Sequence, residues 1–142
     1  MGDALAAGMM AFVQNLNWQV DLIVPIPLGK QRIRERGYNQ VAMIAKPLAM
    51  GLGLQYSEKA LLRRKETRTQ VGLSREERHK NVHEAFQADS GVNGRSVLVM
   101  DDVSTTGSTL SSSADALYAA GAGSVYALTV ARALSHHDFK RV

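Results

Sequence analysis

Residues 97–110, VLVMDDVSTTGSTL, constrain the fold of this chain more than any other stretch. Four consecutive apolar residues read as a strand buried on both faces. Two adjacent carboxylates, Asp101 and Asp102, stand at its end, and small hydroxylated residues then surround Gly107. Beyond them Leu110, Ala114 and Leu117 recur at helical spacing, closed by Gly121 and Gly123. The segment after Asp102 is therefore predicted to be a loop joining the carboxyl end of a strand to a helix that starts near 107–109.

Neighbouring segments repeat the alternation. Asp3 is predicted to cap a first helix whose apolar face is Leu5, Met9, Phe12, Val13 and Leu16. DLIVPIP at 21–27 reads as a buried strand ended by two prolines, which lack ladder donors. A second helix fits 38–50, with Val41, Ile44, Ala45 and Leu48 on one face, a kink or break at Pro47, and Gly51 and Gly53 at its end. Residues 54–62 read as an extended edge segment. SREE at 74–77 matches a capping box and predicts a short helix, and VNGR at 92–95 marks a turn before the strand at 96–100. SVYALTVA at 124–131 is the last strand. Strands alternating with helices imply parallel pairing through crossovers, hence an α/β fold with a mainly parallel central sheet flanked by helices.

The chain has 142 residues, 45% of them hydrophobic, which suits a single domain with a real core. It contains no cysteine, so disulfides and thiolate zinc sites are excluded. The first residues lack a basic leader pattern, and no apolar run reaches the roughly 18 residues that a membrane span needs. The expectation is a cytoplasmic protein with no membrane contact. A net charge of +4, with the basic excess mostly at 30–80, suits an anionic ligand such as phosphate or nucleic acid, although a solvated basic surface has the same composition.

Ligands of open α/β sheets bind at the carboxyl ends of the strands. A helix start there presents unpaired N–H groups to an oxyanion, and Ser104, Thr105, Thr106, Gly107, Ser108 and Thr109 combine hydroxyl donors with close backbone approach. Asp101 and Asp102 cannot bind the same phosphate. They suit hydroxyl donors or a divalent cation instead. A ribose 5-phosphate, with a phosphate at one end and a diol within reach, has the matching shape.

Three known loops share the outline of this segment. The magnesium-binding strand of P-loop NTPases needs a G-x-x-x-x-G-K-[ST] loop, which the chain lacks. The opening strand of a response-regulator receiver needs more chain after it than the roughly 40 residues present. The segment resembles the phosphoribosyl-pyrophosphate (PRPP) motif of type I phosphoribosyltransferases at every position. VPIPLGKQRIRERGYNQ at 24–40 and RTQVGLSREERHKNVHEAF at 68–86 further resemble the ComF family, so the resemblance spans 21–132. Members of that family usually carry a cysteine-rich zinc ribbon ahead of this domain. The 142 residues are expected to lack it, as a short variant or a truncated form, since residues 1–20 resemble the remainder of the family's upstream helical segment; the whole of 1–142 is expected to form a single phosphoribosyltransferase-like domain.

The resemblance implies PRPP, or another ribose 5-phosphate ligand, as substrate, with transfer of its phosphoribosyl group to an acceptor. It implies Mg²⁺ held mainly through the substrate, with Asp101 and Asp102 as the protein's contribution and as the catalytic pair. The loop after the first strand would bind pyrophosphate through Leu28, Gly29, Lys30, Arg32 and Arg36, partly by way of an unusual peptide that is often cis. An ordinary basic loop with Gly37 as a turn and Asn39 as a helix cap explains the same residues. The flexible loop over bound PRPP falls at 63–73, where Arg64, Lys65, Arg68 and Gln70 would reach pyrophosphate; a solvated loop has that composition too. An alternative implied role is an accessory factor in DNA uptake and natural transformation, acting through single-stranded DNA or a competence helicase. A homodimer is compatible with either.

Other side chains receive plainer readings. His79 and His83 are spaced like a metal pair but lack an accompanying H-E-x-x-H pattern, so they read as solvent-facing. His136 and His137 lie in a polar tail and carry no assignment. Trp18 and Phe12 read as packing residues rather than as platforms for bases. Tyr38 stays open between the two, because it follows Gly37 beside the proposed pyrophosphate loop.

Overall fold

The computed structural model describes residues 2–29, 33–35, 37–64, 85–102 and 108–130. Its centre is a four-stranded sheet of β1 (Leu22–Pro25), β2 (Gln55–Tyr56), β5 (Ser96–Asp101) and β6 (Ser124–Thr129), in the order β2-β1-β5-β6 with every neighbour parallel. A separate antiparallel pair joins β3 (Leu61–Arg63) to β4 (Phe86–Ala88). Among the described residues three long helices accompany the strands: α1 (Gly2–Leu16), α2 (Ala42–Leu52) and α3 (Ser108–Ala119). The α/β class and the parallel sheet expected from the alternation are both present.

The central strands β1 and β5 bury both faces, which is why they read as unbroken apolar runs. Ile23, Leu98 and Met100 join Met9 and Val13 of α1 and Ile44 and Leu48 of α2 in one core. The alternate residues Leu22, Val24, Val97 and Val99 face the other way, packing with Leu117 of α3 and with Leu61, Phe86 and Val92. The molecule is therefore layered, with α1 and α2 on one face of the sheet and α3 and the small β3–β4 sheet on the other. The segment 1–20, set apart as an upstream helix in the sequence, contributes Met9 and Val13 to this core. Phe12 and Trp18 pack at its margin, and the Trp18 ring stacks on Tyr126 with centroids 4.9 Å apart.

Three local expectations are corrected. Asp3 lies within α1, whose described residues already begin at Gly2, rather than ahead of the helix. The second helix begins at 42 rather than 38, because the Asn39 Oδ1 accepts the Val41 N–H at 3.0 Å and turns the chain there. No break occurs at Pro47, through which α2 runs to Leu52 before Gly53 (φ 71°) ends it. Pro47 shares the outer face with exposed Met43, Lys46 and Met50, so the helix bond it forgoes lies on the wet side.

The extended segment at 54–62 is divided in two. Ser57 Oγ accepts the N–H groups of Lys59 at 3.2 Å and Ala60 at 3.1 Å, a side-chain turn that takes the chain off the edge strand β2 and into β3. The capping-box helix at 74–77 and all four histidines lie outside the described residues. Among the described residues no helix is long and apolar enough to cross a membrane.

Candidate active site at the carboxyl edge of the sheet

The strand register fixes which residues meet at the sheet's carboxyl edge. Pro25 pairs with Met100 and Asp101 with Thr129, so the loop after β1 and the acids after β5 emerge side by side. One further backbone bond, from Ile26 N–H to the Met100 carbonyl at 2.8 Å, extends the β1–β5 ladder past the first proline. The start of α3 at Ser108 follows those acids by a short connection.

Asp101 is half-buried and accepts the Asp102 N–H at Oδ1, 2.9 Å away. Burial pushes its carboxyl up from 3.8 to about 6; the Asp102 N–H pulls it down, the Asp102 side chain pushes it up, and the Arg63 charge pulls it down. Two acids thus share an edge where the first is reluctant to carry its charge. Such a pair gains from hydroxyl donors or from a cation. Among the described residues no group of three or more potential metal ligands occurs. The donor set of two carboxylates is what Mg²⁺ takes from a protein when substrate oxygens complete its shell.

The loop after β1 is held at two successive carbonyls. Asn39 Nδ2 donates to the Ile26 carbonyl at 3.1 Å, and Arg63 Nε donates to the Pro27 carbonyl at 3.3 Å. Among the described residues no peptide is cis, so Leu28–Gly29 is trans, the form favoured by about 3 kcal/mol at a non-proline bond. Asn39 is not the cap expected of it, since α2 has Val41 at its N-cap and no side-chain cap bond; its carboxamide instead makes a turn just ahead of α2 and ties the loop to it.

Arg63 is the residue that sequence reasoning missed. It stands on β3, its guanidinium 4.7 Å from the centroid of the Phe86 ring on β4, and its charge reaches Asp101. No sequence signal marks it: Leu61 is buried, Leu62 exposed and Arg63 turned inward again only because three-residue β3 pairs with β4. Arg64, selected from the sequence, has an exposed side chain, while its N–H donates to the Ala85 carbonyl at 2.8 Å and closes the β3–β4 pair. The segment expected to be the flexible loop thus departs and returns at adjacent residues beside Arg63.

Thr109 lies in the first turn of α3, half-buried, with its carbonyl accepting the Ser113 hydroxyl at 2.8 Å. Tyr38 is exposed. Ser104, Thr105, Thr106 and Gly107 of the phosphate cradle lie outside the described residues, as do Lys30, Arg32 and Arg36 of the pyrophosphate loop. So do Lys65, Arg68 and Gln70.

Comparison with known proteins agrees with this layout. Residues 4–141 match the model of the phosphoribosyl transferase domain. The chain is 37% identical over 114 residues to DNA utilization protein YhgH of Escherichia coli O157:H7, covering 80% of this chain and 50% of that protein. It is 35% identical over 116 residues to competence protein F of Haemophilus influenzae, covering 80% of this chain and 51% of that one. The chain thus spans about half the length of the curated relatives it matches. Among solved structures it superposes on the allosteric regulatory enzyme of purine biosynthesis with a TM-score of 0.61 at 23% identity, over 91% of this chain and 25% of the other. Glutamine PRPP amidotransferase from B. subtilis superposes with a TM-score of 0.60 at 21% identity, over 91% of this chain and 26% of that one. At those identities the likeness speaks for the fold. The chain belongs to the phosphoribosyl transferase domain family, with the type I fold, and within it is ComF-like.

Proposed function

We propose that this domain binds PRPP at the carboxyl edge of the sheet and transfers its phosphoribosyl group to an acceptor. The observation that carries the reading is the placement of Asp101 and Asp102 at the end of β5, between the loop after β1 and the start of α3. The 5′-phosphate would sit at the α3 start with the small residues 104–109, and the diol against the two acids. The pyrophosphate would lie toward 28–36, with Arg64, Lys65, Arg68 and Gln70 approaching from the loop above.

In this reaction the bond from C1 of the ribose to the pyrophosphate oxygen breaks, its electron pair leaving with pyrophosphate, and C1 bonds to the acceptor nucleophile. Positive charge builds on the ring as the old bond stretches. Asp101 and Asp102, accepting from the 2′ and 3′ hydroxyls, would hold negative charge beneath it. Mg²⁺, where bound with the substrate, would offset charge on the leaving pyrophosphate, and Asp101 and Asp102 are the described residues suited to hold it. The protein's remaining contribution is orientation, which can supply several kcal/mol of a barrier.

Titration of PRPP with Mg²⁺ by calorimetry tests the reading. Binding by the wild-type chain and its loss in the Asp101→Asn/Asp102→Asn variant are expected; absence of binding, or equal binding by both, overturns it.

The names of the relatives favour a second reading, a ComF-like accessory role in DNA uptake through single-stranded DNA or a partner helicase. The basic excess at 30–80 supports it, since phosphate contacts dominate such binding. Affinity for single-stranded DNA should then fall steeply with salt, and affinity indifferent to salt would contradict it.

A further inference from the structure

We infer that Arg63 is a positioning residue for the pyrophosphate end of the ligand, acting through the backbone of the loop after β1. The inference rests on the PRPP reading above. Three observations carry it: Arg63 Nε donates to the Pro27 carbonyl, its guanidinium lies over the Phe86 ring, and its backbone is held in the β3–β4 pair, where the next N–H, of Arg64, donates to the Ala85 carbonyl.

The Pro27–Leu28 peptide is trans, and in a trans peptide the carbonyl and the N–H point in opposite directions. Holding the Pro27 carbonyl toward Arg63 therefore sets the direction of the Leu28 N–H. Asn39 holds the preceding carbonyl, but the Ile26–Pro27 peptide has no N–H to aim. The two clamps consequently divide the work: Asn39 anchors the loop to α2, and Arg63 orients the first peptide that can donate. Phe86 keeps the guanidinium plane in place, because a stacked Arg presents its Nε–H in a fixed direction that a lysine ammonium does not reproduce.

The test compares PRPP, inorganic pyrophosphate and ribose 5-phosphate, each with Mg²⁺, by calorimetry on wild type, Arg63→Met, Arg63→Lys and Phe86→Leu. Removing a hydrogen bond from a charged donor should weaken PRPP and pyrophosphate by about tenfold in Arg63→Met. Arg63→Lys should lose nearly as much, because it keeps the charge but not the fork, and Phe86→Leu should lose less. Ribose 5-phosphate, which engages the Asp101 end, should lose much less than PRPP and pyrophosphate in every variant, with only a small change in Arg63→Met from the charge removed near Asp101. Equal weakening of all three ligands would overturn the inference by marking Arg63 as a general structural support. Full retention of pyrophosphate affinity in Arg63→Lys would overturn it by showing that charge alone suffices. If Arg63→Met does not fold, the Arg63→Lys comparison decides the same question. Failure of the wild-type chain to bind PRPP would instead overturn the functional reading and the inference with it, an outcome distinct from the others.

Discussion

The Asn39 carboxamide donates to the Ile26 carbonyl at 3.1 Å, so a residue just ahead of α2 also fixes the path of the chain leaving β1. Its Oδ1 accepts the Val41 N–H at the same time. Asn39→Ala removes both bonds and leaves a partly buried carbonyl without its donor, which should destabilise the fold by about 1–2 kcal/mol. A lower urea midpoint with an unchanged slope is the expected result, and Asn39→Asp should recover only the Val41 bond.

Asp101 predicts a pH dependence of stability. Burial raises its folded carboxyl from 3.8 to about 6 while the unfolded group stays near its ordinary value. Between those values the folded chain holds the extra proton, so this group's contribution falls as pH rises and its penalty is complete above pH 6. Asp101→Asn abolishes the penalty. Allowing for the solvent that still reaches this half-exposed group, the variant should be ~1 kcal/mol more stable than wild type at neutral pH. The advantage should vanish at acid pH in urea unfolding followed across that range. An advantage independent of pH would contradict the assignment.

Gly121 adopts φ 99°, and a Cβ placed on it would collide with Asn93 Oδ1. Its carbonyl also accepts the Gly94 N–H at 2.8 Å, joining the turn before β5 to the turn after α3. Gly121→Ala should therefore cost about 1–3 kcal/mol from backbone strain and the close contact together. Adding Asn93→Ala should return the contact part and leave the strain, so the double variant should unfold between the single Gly121→Ala variant and wild type.

Leu98 stands at the middle of β5 with no exposure, packed in the core beneath α1 and α2. Leu98→Ala should cost about 2–5 kcal/mol, because the surrounding strands can close only partly around the cavity. Leu62→Ala, on the exposed side of β3, should cost far less. Thermal unfolding of the two variants compares a central strand with a surface position directly.

Much of the scaffold was legible in the sequence because it obeys local rules. The unbroken apolar runs of β1 and β5 announce strands buried on both faces, and the two acids ending β5 place a polar site at their carboxyl edge. The proposal of a ribose 5-phosphate ligand starts from those acids and the hydroxylated residues beside them. By contrast, the antiparallel β3–β4 pair left no such trace. Its strands are three residues each and separated by more than twenty residues in the chain, so no periodicity could develop in either. Pro47 misled for a related reason: helix propensity records the bond a proline forfeits but not whether that bond lies on the wet side of the helix.

The sequence by itself determined the strand and helix alternation, the parallel sheet and the acids at its edge, since each depends on residues adjacent in the chain. Only the tertiary structure decided that Arg63 rather than Arg64 turns inward to the loop after β1. That choice depends on β3 pairing with β4, which sets Phe86 beneath one arginine and leaves the other exposed at the mouth of the loop. The pairing brings together residues that no local pattern connects, and the hydrogen bond to Pro27 follows from it.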